Sequence, residues 1–315
     1  MFRTPQAQAA ISIGRNGIVA VGFTGESEPL SLSVREMKSL ETGTVVPSLM
    51  STNITNQKTV TSAVKQLITE YKKPPKRIAM VLPDAVAKVT LLTFDTIPER
   101  ETDLAQLIRL KMQKSAPFNL DDAQLSYRAC GKSSEKQARF LAVVVQKSVL
   151  GEYEDICNTL GLKVGCVDLA GFNLINAALY TRSDRKQGDW MLVHTACDYN
   201  TVAILRDRQL IFYRNQITEP NHSLDNFVYQ TRMYYEDRLN GSGIEQVVFA
   251  STGTGSSSES LKMAIEQLFN DSPNVVFERL GKRLAGSIKN TKDLALNTLD
   301  NLAAPIGILV RDRHD

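Results

Sequence analysis

A chain of 315 residues, 43% of them hydrophobic, is long enough for two domains or one two-lobed fold around a sizeable core. A net charge of +3 with 23% charged residues is too weakly basic to argue for a nucleic-acid partner without a concentrated patch. No window approaches the roughly 18–20 apolar residues of a membrane span, and the opening MFRTPQAQAA lacks the apolar stretch of a signal peptide, so the chain is expected in the cytosol.

The segment Ala10 to Phe23, AISIGRNGIVAVGF, predicts a β-hairpin, because Gly14 and Gly17 bracket two β-rich runs. A polar stretch follows, then a helix over 59–71 whose apolar positions recur at helical spacing and which Pro74-Pro75 ends. Strands are expected at 77–82 and 86–94. Next comes the amphipathic helix ETDLAQLIRLKMQK, Glu101 to Lys114. Paired strands at 123–130 and 138–146, a helix over 147–160 and a strand over 163–168 continue the pattern, and residues 98–162 are taken as an α+β module.

A helix at 171–180 leads into the charged segment TRSDRKQGD, Thr181 to Asp189, which is the expected linker between lobes. Beyond it the pattern restarts with strands at 190–193, 201–206 and 210–214, a helix over 224–239 and a strand over 246–250. A Gly- and Ser-rich loop, Ser251 to Ser260, then runs into a helix over 261–270. Two halves that both open on a strand–turn–strand unit suggest a duplicated fold with a cleft between the lobes.

Cys130, Cys157, Cys166 and Cys197 form no C-x-x-C pair, which argues against a zinc ribbon and leaves four reduced thiols. The string VHTACDYNT, Val193 to Thr201, gathers a histidine, a cysteine and an aspartate. Side chains that close in sequence on a strand or tight turn rarely reach nucleophile–base geometry, and a metal would need a fourth ligand that neither His222 nor His314 recommends. The string therefore reads as a hairpin turn, with no catalytic residue and no metal ligand. The basic runs Lys72, Lys73, Lys76, Arg77 and Arg279, Lys282, Arg283 read as solvated faces, with contact to anionic lipid or an acidic partner as the other reading.

The order of segments resembles the PilM family, actin-like cytoplasmic proteins of type IV pilus assembly, and more distantly the cell-division protein FtsA. The strings that carry it are IAMVLPDAVAKVTLLTFDTIPERETDLAQLIRLKMQKSAPFNLDDAQLSYRA (Ile78 to Ala129), Val167-Asp168 before the interlobe helix, and LAAPIGILVR (Leu302 to Arg311). The resemblance implies an α/β, two-lobed, actin-like (ribonuclease H-like) fold with a small α+β subdomain inserted in the first lobe. Residues 1–97 and 163–180 are then the first lobe, 98–162 the insert, 181–189 the linker, 190–300 the second lobe, and 301–315 a C-terminal helix returning to the first lobe.

In the family the two hairpin turns are phosphate loops reading Asp-Ile-Gly, and the Gly-rich loop touches adenosine. Glycines admit backbone N–H groups to phosphate oxygens, and the aspartates hold Mg²⁺. This chain has Ser12-Ile13-Gly14 in the first turn and His194-Thr195-Ala196 in the second. Both carboxylates are gone. What remains of a nucleotide site is Gly14, Arg15, Asn16 and Gly17, then Asp198 and Asn200, then Gly253, Thr254 and Gly255. The expectation is no cofactor, with ATP and Mg²⁺ as the minor alternative, and a non-catalytic scaffold rather than an active ATPase or a sugar or acid kinase of the same superfold. Asp168 is the interlobe carboxylate a kinase would use as its base.

The resemblance also implies a partner. It is the short N-terminal cytoplasmic tail of a bitopic inner-membrane protein of the PilN type, received beside the inserted module near Leu107, Leu110, Lys111, Lys114 and Phe118. Other pilus assembly proteins are expected as further partners, and the chain would sit peripherally at the inner membrane through them.

Overall fold

The hairpin at the start forms as its glycines dictate: β1 (Ala9–Gly14) and β2 (Gly17–Thr24) pair antiparallel in a register that closes on Gly14 opposite Gly17. A computed structural model describes all residues except 1–6, 8, 26–27, 135–136, 183–187, 220–222, 254–257 and 312–315. Next along the chain come β3 (Ser31–Ser39), α1 (Gln57–Thr69) and β4 (Arg77–Leu82). They are followed by β5 (Lys88–Phe94), α2 (Glu101–Gln113), β6 (Ala123–Ser134), β7 (Gln137–Gln146), α3 (Lys147–Thr159), β8 (Lys163–Leu169) and α4 (Ala170–Tyr180). The second half holds β9 (Asp189–Thr195), β10 (Tyr199–Arg206), β11 (Gln209–Ile217), α5 (Leu224–Arg238) and β12 (Ile244–Ser251). It ends with α6 (Ser258–Gln267), β13 (Val276–Arg279), α7 (Leu280–Ser287) and α8 (Leu296–Val310).

Two five-stranded sheets repeat one topology. The first runs β3-β2-β1-β4-β8 and the second β11-β10-β9-β12-β13, each an antiparallel meander of three strands with two parallel strands added beyond the first. The duplication expected from the two hairpins is this correspondence. It explains why β1, β4 and β9 read as unbroken apolar runs: both faces are covered. Ile11, Ile13 and Met80 face α1 and α3, whereas Ala10, Ala79 and Val81 face inward.

That inward face belongs to a core common to both lobes. Trp190, Leu192, Ala203 and Val248 of the second sheet meet Leu174 and Ala177 of α4 and Leu302, Ile306 and Leu309 of α8 in the same cluster. The approach of α4 to α8 is backbone-close: a Cβ added at Gly307 would collide with the carbonyl of Asn173. The C-terminal helix therefore does pack on the first lobe, but it begins at Leu296 rather than at 301.

Several sequence expectations shift. The third sheet, β5-β7-β6, takes in β5, which pairs antiparallel with β7 from Lys88 opposite Val144 to Phe94 opposite Ala138. The inserted module thus starts at β5 rather than at 98. It also ends before α3, because Val149, Tyr153, Ile156 and Cys157 bury against α1 and the first sheet. Glu152 on the same helix accepts the backbone N–H groups of Asn53 and Ile54 at 2.7 and 2.8 Å, fastening α3 to the loop before α1. Within the expected linker 181–189, residues 183–187 lie outside the described residues and Asp189 is already strand β9, held to Arg206 at 2.8 Å. The polar stretch after the first hairpin contains an edge strand, β3, whose Leu32 and Val34 alone turn inward. The second basic run is a solvated face only at Lys282: Arg279 is buried, its Nε donating to the fully buried Asp300 at 2.8 Å, and Arg283 pairs with Glu278.

Candidate functional site: the interlobe cleft

Three turns meet between the lobes. The β1–β2 turn brings Arg15 and Asn16, the β9–β10 turn brings Ala196, Cys197 and Asp198, and the segment after β12 brings Thr252 and Gly253. Together with Ser12, His194 and Asn301 they line a cavity of about 260 Å³. That is below the roughly 300–1,000 Å³ usual for small-molecule sites.

The side chains bridge the cleft themselves. Asn16 Nδ2 donates to the carbonyl of Gly253 at 2.5 Å, and Gly253 N–H donates to Asn301 Oδ1 at 3.0 Å. Gly253 has φ +64, the left-handed conformation that glycine adopts without strain, so its presence is explained by the turn. Its polar backbone groups are already spent on protein partners. His194 is 1% exposed. Its Nε2 lies 2.8 Å from Thr252 Oγ1, and its ring meets Tyr199 edge-on at 5.5 Å. Burial holds the imidazole down to about 3, so it is neutral. A neutral, enclosed imidazole is not a magnesium anchor.

Cys197 stands on the same turn, next to Asp198. Burial, with the charge of Asp198 beside it, pushes its thiol up to about 12, and its Sγ lies 3.6 Å from Asp198 Oδ1. Burial also raises the carboxyl of Asp198 against the pull of Arg15, and its Oδ2 has no hydrogen-bond partner. Among the described residues no three His, Cys, Asp or Glu side chains stand together as a metal cluster.

Of the residues named from sequence, Gly14, Arg15, Asn16, Gly17, Asp198 and Gly253 all line this cavity. Asn200 is buried one position into β10 and does not line it. Thr254 and Gly255 lie outside the described residues. Leu107, Leu110, Lys111 and Lys114 form one stripe along α2. Leu107 and Phe118 are partly buried on the core of the small module, and Lys111 Nζ stands 5.9 Å over the Phe94 ring. Leu110 is 59% exposed.

Asp168 is not the interlobe carboxylate. It is the last residue but one of β8, accepts the N–H of Leu169 at 2.8 Å, and is pushed by burial up to about 6. A buried carboxylate that does join the lobes is Asp84, 0% exposed, bonded both to Gly171 of α4 and to Thr201 of β10. Sequence reasoning passed over it inside VLPDAV; an aspartate in an apolar run directly after a buried strand was the available signal.

The solved PilM-PilN type IV pilus biogenesis complex superposes with a TM-score of 0.78 at 10% identity, covering 98% of this chain and 99% of that one. A Bacteroides thetaiotaomicron protein with an actin-like ATPase fold and unknown function superposes at a TM-score of 0.48 and 12% identity, over 93% of this chain and 97% of that one. The ethanolamine utilization protein EutJ of Carboxydothermus hydrogenoformans does so at 0.49 and 9%, over 98% and 90%. At these identities the likeness is one of fold. No curated protein sequence is a match. The model of the family described as type IV pilus assembly protein PilM matches residues 10–238, well over half of the sequence, and the chain belongs to that family.

Proposed function

We propose that this chain is a non-catalytic actin-like scaffold of type IV pilus assembly that holds the short N-terminal cytoplasmic tail of an inner-membrane protein of the PilN type and needs no nucleotide to do so. The observation that carries the reading is the second hairpin turn. His194 sits there buried and neutral where a phosphate loop needs a carboxylate, and the neighbouring Gly253 backbone is bonded to Asn16 and Asn301. Phosphoryl transfer is mostly positioning and metal charge, and both supports are weakened together.

The rival reading, a working ATPase or kinase, needs a general base free to face a substrate. Asp168 caps a backbone N–H away from the cavity, and Asp84 is enclosed by donors. A fold of this family with a small cleft whose two turns lack a carboxylate at Ser12 and His194 favours binding over chemistry. In this reading the membrane is reached through the partner; no helix among the described residues is long and apolar enough to cross one.

For the tail, an extended peptide is expected to pair with a sheet edge while apolar side chains enter pockets beside the small module. The exposed Leu110 and the basic Lys111 and Lys114 are the residues to test first. A pull-down with the PilN-type tail, run with and without Mg-ATP, should retain the chain equally in both, and Leu110→Glu should weaken it. Capture only in the presence of Mg-ATP, or phosphate release abolished by a cleft substitution, would overturn the reading.

A further inference from the structure

The cleft has a fastening at its base as well as at its mouth. Asp84 occupies the single 3₁₀ turn between β4 and β5, and its two carboxylate oxygens are divided between the lobes. Oδ1 accepts from the N–H of Gly171, the second residue of α4, at 2.8 Å. Oδ2 accepts from Thr201 Oγ1 of β10 at 2.5 Å, and the Asp84 carbonyl accepts from Asn215 Nδ2 of β11 at 2.6 Å. Thr201 is itself 0% exposed. The fit leaves no slack at the joint: a Cβ on Gly171 would meet Asp84 Oδ2 and the hydroxyl of Tyr213. At the far end of the same cleft, Asn16 of the first lobe reaches the Gly253 carbonyl of the second.

In a two-lobed protein that closes on a ligand, the ligand supplies the bonds that hold the lobes together, and the empty state opens. Here those bonds come from the chain. A buried carboxylate held by donors from both lobes is costly to part, because separation strands the donors as well as the charge.

We propose that Asp84 and Asn16, together with the bonds from β3 to Lys289 and Asp293, latch the two lobes in one closed orientation that does not depend on any occupant of the cleft, with Asp84 as the buried latch. The inference stands whether or not a partner tail binds. It has a consequence for the small module, which continues directly from the Asp84 turn and lies beside β11, with Gly131 of β6 against Gln209. The latch fixes that module relative to the second lobe, so whatever docks on the module meets an invariant neighbouring surface.

Hydrogen–deuterium exchange of the full chain, read at residues 84–89, 169–173 and 199–206 with and without Mg-ATP, tests this. The wild type should be fully protected without nucleotide and unchanged by Mg-ATP. Asp84→Ala should exchange roughly ten- to a hundredfold faster in all three segments at once, whereas Asp84→Asn, which keeps the acceptor for Gly171, should recover most of the protection. If Asp84→Ala fails to fold, Thr201→Val and Asn215→Ala each remove one bond of the latch and should speed exchange in the same three segments. Protection gained by the wild type on adding Mg-ATP, or latch variants whose loss of protection stays within one lobe, would overturn the proposal.

Discussion

Lowering the pH from 7.5 to 5.5 should cost the protein stability through a single residue, His194. Its imidazole is buried at 1% exposure and is held by that burial to about 3, against an ordinary value near 6.5. The folded state refuses a proton that the unfolded chain accepts, so stability is whole above pH 6.5 and is lost as pH falls from there toward 3. Between pH 7.5 and 5.5 the unfolded state gains about 1.4 kcal/mol from protonating this one ring, a tenfold change in the unfolding constant. His194→Gln removes the titration while leaving a polar group for Thr252. Urea unfolding of both proteins at both pH values gives the answer as a difference, in which every other ionisable group cancels. The wild type should lose about 1.4 kcal/mol more than the variant over that interval. Equal losses would show that position 194 reaches water, and with that the argument for a closed second loop would fail.

Asp198 predicts the opposite slope. Its carboxyl is raised by burial and one oxygen has no partner, so the folded state holds its proton more tightly than the unfolded one and ionisation disfavours folding. Asp198→Asn should melt higher than the wild type at pH 7.5, with the gap closing on acidification; no gain at pH 7.5 would count against this. Gly307→Ala normally improves a helix interior, but here the added methyl meets the Asn173 carbonyl, so a loss of about 1–3 kcal/mol in chemical denaturation is expected. A raised stability would mean that α4 and α8 are farther apart than described. Arg279→Met strands Asp300 as a buried charge and should cost about 3–5 kcal/mol, most of it recovered when Asp300→Asn is added; the same loss in the single and double variants would refute the pairing.

The parts of this molecule that could be read from its sequence are those whose causes lie close together in the chain. Gly14 and Gly17 announce a hairpin because a turn is a local event, and the charged linker signals the start of the second half for the same reason. Asp84 gave no such notice: its partners stand 87, 117 and 131 positions away, at Gly171, Thr201 and Asn215. Arg279 misled for a related reason. Lys282 and Arg283 follow it closely and give the stretch a basic look, and only Asp300, 21 residues on, explains why one guanidinium of the run is buried. The start of the small module at β5 was hidden because the register that assigns it to the third sheet is set by β7, whereas the predicted boundary followed Pro98. Strand β3 has too few inward residues to show a period, since the outer half of an edge strand is free to be polar.

The helix α8 is the last described element to leave the ribosome, yet Leu302, Ile306 and Leu309 complete the inner face of a sheet whose first strand is the first element made. Translation proceeds from the N-terminus, so Ala10, Val21, Ala79 and Val81 wait uncovered for nearly the whole of synthesis. The nascent first lobe is thus a natural client for a chaperone. A chain cut just before residue 296 would keep both sheets but leave their shared inner face half clothed, a target for proteolysis rather than a partly working protein.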